Sequence, residues 1–165
     1  MSIVDQTVDS KASITGTYIQ AGRYIFEIQK VFGEKKRKGD CFIAELLVVD
    51  AVKTDPMRDP NPVGSTCSFV LNFTTQPDTA PANLKAFFLA LFGENEKDVT
   101  REDLFKGITA AMSTAQPYKY FKIRDEAFDV PTQKNPGKMF TKHKWGHYAP
   151  TEAEFGEIEA RQNGK

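Results

Sequence analysis

Cysteine, histidine and tryptophan are all scarce in this chain of 165 residues, which has two Cys, two His and one Trp. Two cysteines cannot build a disulfide framework, and Cys41 and Cys67 each fall inside an apolar run that reads as a strand. Buried free thiols of that kind fit a reducing compartment. Neither has a CxxC or HxH partner. His143 and His147 lie in a stretch that reads as a strand, where four residues span about 13 Å, so no metal site is expected. Net charge is missing too, +0 from 22 basic and 22 acidic residues. No apolar run approaches the ~18 residues of a membrane span, and no basic-plus-apolar leader opens the chain. Patterns of the type GxxxxGK[ST], GxGxxG and GxSxG do not occur. Asp50, Asp55 and Asp59 sit in or beside a proline-rich loop, with nothing to gather them onto a pair of metal ions. These absences point to a non-enzyme with no cofactor and no membrane partner.

What the chain does have is hydrophobic residues at 40%, aromatics at 12% and thirteen Phe. That is a globular composition with enough length for one core. Residues 1–16 are polar without a sustained period and read as a flexible arm. Tyr24, Phe26 and Ile28 alternate with Arg23, Glu27 and Gln29, the mark of a half-buried strand. Phe42, Ala44, Leu46 and Val48 share a face of a second strand. Between the two, GEKKRKGD supplies turn chemistry, so the strands are expected to form a hairpin. Pro56, Pro60 and Pro62 make the next segment a loop. Cys67, Phe69, Leu71 and Phe73 then mark a third strand over 66–73.

Leu84, Phe87, Phe88 and Leu91 recur at helical spacing over 82–92, and Gly93 is placed as a left-handed cap. Thr100 opens a second short helix, with Leu104, Phe105, Ile108 and Met112 as its apolar stripe. Strands are expected over 118–130 and 139–148, joined through PTQKNPGK as a second hairpin. Thr151 and Glu154 have capping-box spacing, which starts a C-terminal helix running to about Arg161. The expected fold is mainly β (α+β): a five-stranded OB-like barrel with a helix after the third strand and a short C-terminal helix. The same string also suits a half-open sheet with a helix on one face. The expected organisation is an arm (1–16), one domain (17–150), and a C-terminal helix and tail (151–165).

Charge is unevenly spread on this neutral chain. From Thr17 to Asp40 there are six basic residues and three acids, a balance of +3; from Pro117 to Pro150 there are seven and three, a balance of +4. Thr151 to Lys165 has two and four, a balance of −2. Two basic segments can form one basic face once folded.

Gly22, Arg23 and Tyr24 open a strand, followed by the basic turn, PVGS before SFVLNF, the helix NLKAFFLALFG, and the late basic hairpin near FTKHKW. The order of these features resembles the small phage-encoded single-stranded-DNA-binding proteins with an OB fold. The likeness spans roughly 22–148. It implies sequence-tolerant binding of single-stranded DNA in phage replication or recombination, in the host cell cytoplasm. Replication or recombination proteins, or a second copy of the chain, become candidate partners. Many such binders end in an acidic recruiting tail, whereas this chain ends RQNGK.

Binding an unpaired strand takes cations that follow the phosphates and rings that stack on bases. On the late hairpin, Tyr118, Tyr120, Lys122 and Arg124 are expected on one strand face, with Phe140, Lys142, Lys144 and Tyr148 on one face of its partner. Lys35, Lys36, Arg37 and Lys38 would reach phosphates from the first hairpin. The plainer readings stand beside these: Tyr and Lys coat the wet face of many sheets, and lysine-rich turns keep hairpins soluble. KKRK also fits a nuclear-import string, which requires a eukaryotic host. Trp145, Tyr24 and the Phe87, Phe88 and Phe92 cluster read as core. The competing functional class is a phage protein-interaction module that binds a host or replisome protein, without nucleic acid, through its sheet edge or acidic C-terminal helix.

Overall fold

The computed structural model describes residues 17–36, 39–131 and 139–164, with the backbone alone at Lys36. The arm over 1–16, Arg37, Lys38 and most of the PTQKNPGK connection lie outside the described residues. Five strands form one antiparallel sheet: β1 (Gly22–Lys36), β2 (Gly39–Val52), β3 (Thr66–Asn72), β4 (Lys122–Pro131) and β5 (Met139–His147). Their order across the sheet is β3-β2-β1-β4-β5. Among the described residues three α-helices accompany them: α1 (Ala80–Phe92), α2 (Arg101–Ala111) and α3 (Glu152–Gln162), with a 3-10 turn at Glu96–Asp98. Among the described residues no helix is long and apolar enough to cross a membrane.

Strand β1 organises the sheet because it pairs with β4 over Gly22–Glu27 and with β2 over Arg23–Lys36. Its register against β2 slips twice, between Ile25 and Phe26 and between Ile28 and Lys30. Such bulges bend a strand and increase its twist. The sheet accordingly curls until side chains from its two edges touch. Phe69 on β3 packs against Trp145 and His143 on β5, with ring centroids 4.8 and 5.0 Å apart. No ladder joins β3 to β5, so the sheet is not closed.

Helix α1 packs against β3, β4 and β5. Phe87 meets Phe42, Phe69 and Trp145 at 5.6, 5.6 and 4.9 Å, and Phe88 meets Phe42 at 5.5 Å. Phe26, Ile28, Phe42, Leu46, Phe87 and Phe88 are fully buried. Truncating Phe87 to Ala is worth about 3–5 kcal/mol by the usual cost of such a cavity. The helix has Pro in its first turn and stops at Gly93, whose φ of 70° is the left-handed cap. A Cβ there would sit 2.8 Å from the His147 ring, so both conformation and space require glycine. The inward reading of Tyr24, Trp145 and the Phe cluster holds: Tyr24 is 2% exposed, and Trp145 and Phe92 are half-buried against the core.

The loop between β2 and β3 is fastened by Asn61. Its amide donates to the Tyr18 carbonyl (3.0 Å), and its side-chain oxygen accepts from the Gln20 N–H (2.7 Å) and the Tyr24 hydroxyl (3.0 Å). Burial pushes the Tyr24 phenol up to about 12. The segment before β1 thereby lies along β3, where Tyr18 bridges Ser68 in parallel.

One strand boundary corrects the sequence reading. Residues 118–121 do not belong to β4, which begins at Lys122. Tyr118 and Tyr120 sit in a turn, and Tyr120 has φ of 75°. The Tyr120 N–H donates to the Ile28 carbonyl (2.7 Å), which fixes the turn against β1. Just beyond, the Gln116 side chain stands in for a strand. Its Oε1 accepts from the Val31 N–H and its Nε2 donates to the Val31 carbonyl, both at 2.8 Å.

Candidate nucleic-acid interface

Register decides which side chains share the outer face of the sheet. Along β4, Ile123, Asp125 and Ala127 are buried, and Lys122, Arg124, Glu126 and Phe128 point outward. Cross-strand partners stand on the same face. Arg124 opposes Ile25 and Gly146; Glu126 opposes Arg23 and Lys144; Phe128 opposes Lys142; Val130 opposes Phe140. The outer face of β4 and β5 therefore carries one stripe. From the α3 end it runs Tyr148 and Lys122, Arg124, then Glu126 between Lys144 and Arg23, Phe128 with Lys142, and Phe140. From Phe140 to Tyr148 that is about 26 Å of strand at ~3.3 Å per residue.

Rings and cations touch along it. The Arg124 guanidinium lies 5.1 Å from the Tyr148 ring, Lys122 Nζ lies 5.3 Å from the same ring, and Lys142 Nζ lies 5.8 Å from the Phe140 ring. Phe128 and Phe140 are each 43% exposed, high for phenylalanine on a sheet. Among the described residues, Arg124, Lys142 and Lys144 form no ion pair with an acid, while Arg23 lies 3.9 Å from Glu126.

The α3 end of the stripe is different. Glu154 closes the capping box of α3, accepting from the Thr151 N–H at 3.2 Å. Its other oxygen accepts from Lys122 Nζ at 3.0 Å and from the Tyr148 hydroxyl at 2.8 Å. These donors hold the Glu154 carboxyl at about 2, the Tyr148 hydroxyl being the largest cause. The bond to Glu154 in turn raises Lys122. Nearby, Arg161 pairs with Glu27 at 3.0 Å and lies 3.8 Å over the Tyr120 ring. Tyr120 is thus clamped between the sheet and α3. Tyr118 packs between Phe92 and Phe121, 5.2 Å from each, on an aromatic run that ends at Phe155.

Of the residues singled out from sequence, Lys122, Arg124, Phe140, Lys142 and Lys144 come together on one face. Tyr118 and Tyr120 do not join them in the strand. Lys35 is exposed near the end of the β1–β2 hairpin. It lies eight residues past Glu27, the last β1 residue paired with β4, or about 25 Å along the strand. The Pro131–Met139 end of the β4–β5 pair lies beyond the other end of β1, past the Gly22–Ala127 pair. Phe128 and Arg23 join the stripe although neither was singled out as a binding residue. Phe128 continues the alternation of Lys122 and Arg124 and was legible on that ground, whereas Arg23 arrives through the β1–β4 register.

Beneath the stripe, Asp125 is 1% exposed and its Oδ2 bonds His143 Nδ1 at 2.7 Å. Among the described residues its buried Oδ1 has no hydrogen-bond partner. Burial pushes the Asp125 carboxyl above the ordinary carboxylate range. His143 stacks on Trp145 with centroids 5.2 Å apart. Cys67 is a buried free thiol raised to about 12 by desolvation. Among the described residues no group of three or more His, Cys, Asp and Glu gathers as a metal site.

Neither the models of known protein families nor the curated protein sequences give a match to this chain.

Proposed function

We propose that this protein is a non-catalytic binder of single-stranded DNA that holds the strand along the outer face of β4 and β5. Phosphates follow Arg124, Lys144 and Lys142, and bases stack on Phe128 and Phe140. The observation that carries the reading is that two exposed rings, Phe128 and Phe140, share one sheet face with Arg124, Lys142 and Lys144, which form no ion pair among the described residues. A sequence-tolerant binder needs both kinds of group, and a merely wet face needs neither ring exposed. The fold reading that goes with it is an OB-type barrel left open between β3 and β5. The strand order and the helix after the third strand support that reading. Phage replication or recombination is the setting implied by the resemblance in element order.

The test is titration of the protein with fluorescent single-stranded and double-stranded oligonucleotides at low and moderate salt. Preference for the single strand, with affinity falling as salt rises, is the expected result. Absence of binding to either at low salt overturns it and leaves the protein-interaction class, for which exposed acids of α3 such as Glu152, Glu157 and Glu159 offer a surface.

A further inference from the structure

The curled sheet leaves a groove of about 630 Å³ where β3 and β5 fail to pair. Its size falls within the range of small-ligand sites. One wall is β5 with Phe140, Lys142 and His143, the other is β3 with Phe69 and Val70, and α1 supplies a third side with Asn83 and Ala86. Tyr18 stands at the rim, 69% exposed, its backbone held by Asn61 and by the bridge to Ser68. Phe140 and Lys142 belong both to this groove and to the outer stripe.

Three properties define what fits. First, no acid lines the groove among the described residues, in a chain with 22 acids, while Lys142 and His143 do. A polyanion enters without repulsion. Second, exposed polar side chains face it. Asn83 and Gln76 make no side-chain hydrogen bond among the described residues, and the Thr79 hydroxyl does not cap its own helix. Third, the β3 edge is poorly suited to an added peptide strand. The Ser68 N–H already donates to the Thr17 carbonyl (2.8 Å), and the Asn72 carbonyl accepts from the Gln76 N–H (3.0 Å). These bonds take an outward group near each end of β3, which leaves only the short stretch around Val70 to extend a ladder. Exposed rings beside free side-chain amides are what an unstacked base uses, with faces for stacking and edges for hydrogen bonds.

We infer that this groove is a nucleobase pocket: one base of the bound strand turns off the outer stripe at Phe140 and Lys142 and inserts between β3 and β5. There it stacks against Tyr18 and Phe140 and hydrogen-bonds to Asn83. The inference rests on the single-strand reading and adds to it a preference for base identity at one position.

Trp145 lines the groove and is the single tryptophan, so its fluorescence reports occupancy. The probes are short homo-oligonucleotides of thymidine, cytidine and adenosine. In the unaltered protein, binding should quench Trp145 and the three probes should differ in affinity. Ala86→Phe plugs the groove from the exposed surface of α1. It should abolish the quench and weaken binding roughly tenfold, the worth of one stacked base. Asn83→Ala should keep most of the affinity but narrow the differences among the three probes. Lys144→Glu, on the stripe and outside the groove, separates the two ideas. If it weakens binding while Ala86→Phe leaves affinity and quench unchanged, the pocket is overturned and the single-strand reading stands. If no oligonucleotide binds the unaltered protein, both fail. Quenching by an extended peptide of alternating Val and Glu, and not by oligonucleotide, overturns the pocket in favour of strand addition.

Discussion

The two ends of the outer stripe carry the same kinds of side chain in opposite electrostatic states. At the α3 end, Lys122 and Tyr148 meet Glu154, and Arg161 meets Glu27. Lys122 and Arg161 each have a carboxylate at 3.0 Å. Toward the Pro131–Met139 end of the β4–β5 pair, Lys142 and Lys144 have no such partner among the described residues, and Phe128 and Phe140 lie open beside them. The comparison shows that a count of basic residues does not give the number of cations left without a carboxylate partner. A cation already paired with a carboxylate releases little when a phosphate arrives, because one ion pair replaces another, whereas an unpaired cation gains the whole interaction.

Substitutions at the two ends test this contrast. The largest effect is expected from Lys142→Glu combined with Lys144→Glu. Affinity for single-stranded oligonucleotide should fall on the order of a hundredfold at low salt. The slope of log affinity against log salt should flatten by about 1.4, the share of two phosphate contacts on a single strand. Titrations over a salt series measure both; a steep slope that survives the reversal would place the phosphates elsewhere. Next come Phe128→Ala and Phe140→Ala. Each should weaken binding about tenfold with the slope unchanged, since stacking releases no counterions. Tyr120→Ala, at the occupied end, should instead lower the melting temperature and leave affinity nearly intact, because its ring supports Arg161.

Glu154→Gln sharpens the contrast from the other side. It unpairs Lys122 while keeping an oxygen for the Thr151 N–H, so binding should tighten a few-fold. The variant should also change acid stability. A carboxyl held at about 2 contributes stability above its ordinary value of about 4.3 and loses it as pH falls toward 2. Thermal melts between those values should decline more steeply in the unaltered protein than in the variant. Asp125 runs the other way. Its carboxyl is raised by burial, so its contribution is present below about 3.9 and is lost as pH rises through the raised value. Asp125→Asn should melt higher than the unaltered protein near neutral pH, with the difference vanishing in acid; equal melts at every pH would contradict that assignment. Lys35→Glu is expected to do least, about a twofold loss, because its hairpin end lies far along β1 from the stripe.

Much of this was legible in the residues. The alternation of Tyr24, Phe26 and Ile28 and of Cys67, Phe69 and Leu71 gives the strands directly. Leu84, Phe87, Phe88 and Leu91 before Gly93 give α1 with its cap, and Thr151 with Glu154 marks the start of α3. Lys142 and Lys144 were legible for the same reason, since a two-residue period shows which side chains share a face. What escaped depends on backbone conformation and on distant partners. Tyr118 and Tyr120 continue the spacing of Lys122 and Arg124 without a break, and only the positive φ of Tyr120 ends the strand. No residue type announces that angle in a tyrosine. The occupation of Lys122 depends on Glu154, 32 positions later in the chain. Arg23 reaches Glu126 and Lys144 only through a register that neither segment encodes alone.

The central place of β1 bears on how the molecule assembles. Its hairpin with β2 closes a short loop and can form as soon as both segments exist. Its other edge must wait for Ala127 to find Gly22, a contact that spans 105 positions of chain. Pairings so distant in sequence are slow to form. During synthesis, that side of β1 stays bare until most of the polypeptide has emerged, and any helper that shields nascent chains would have its longest task there.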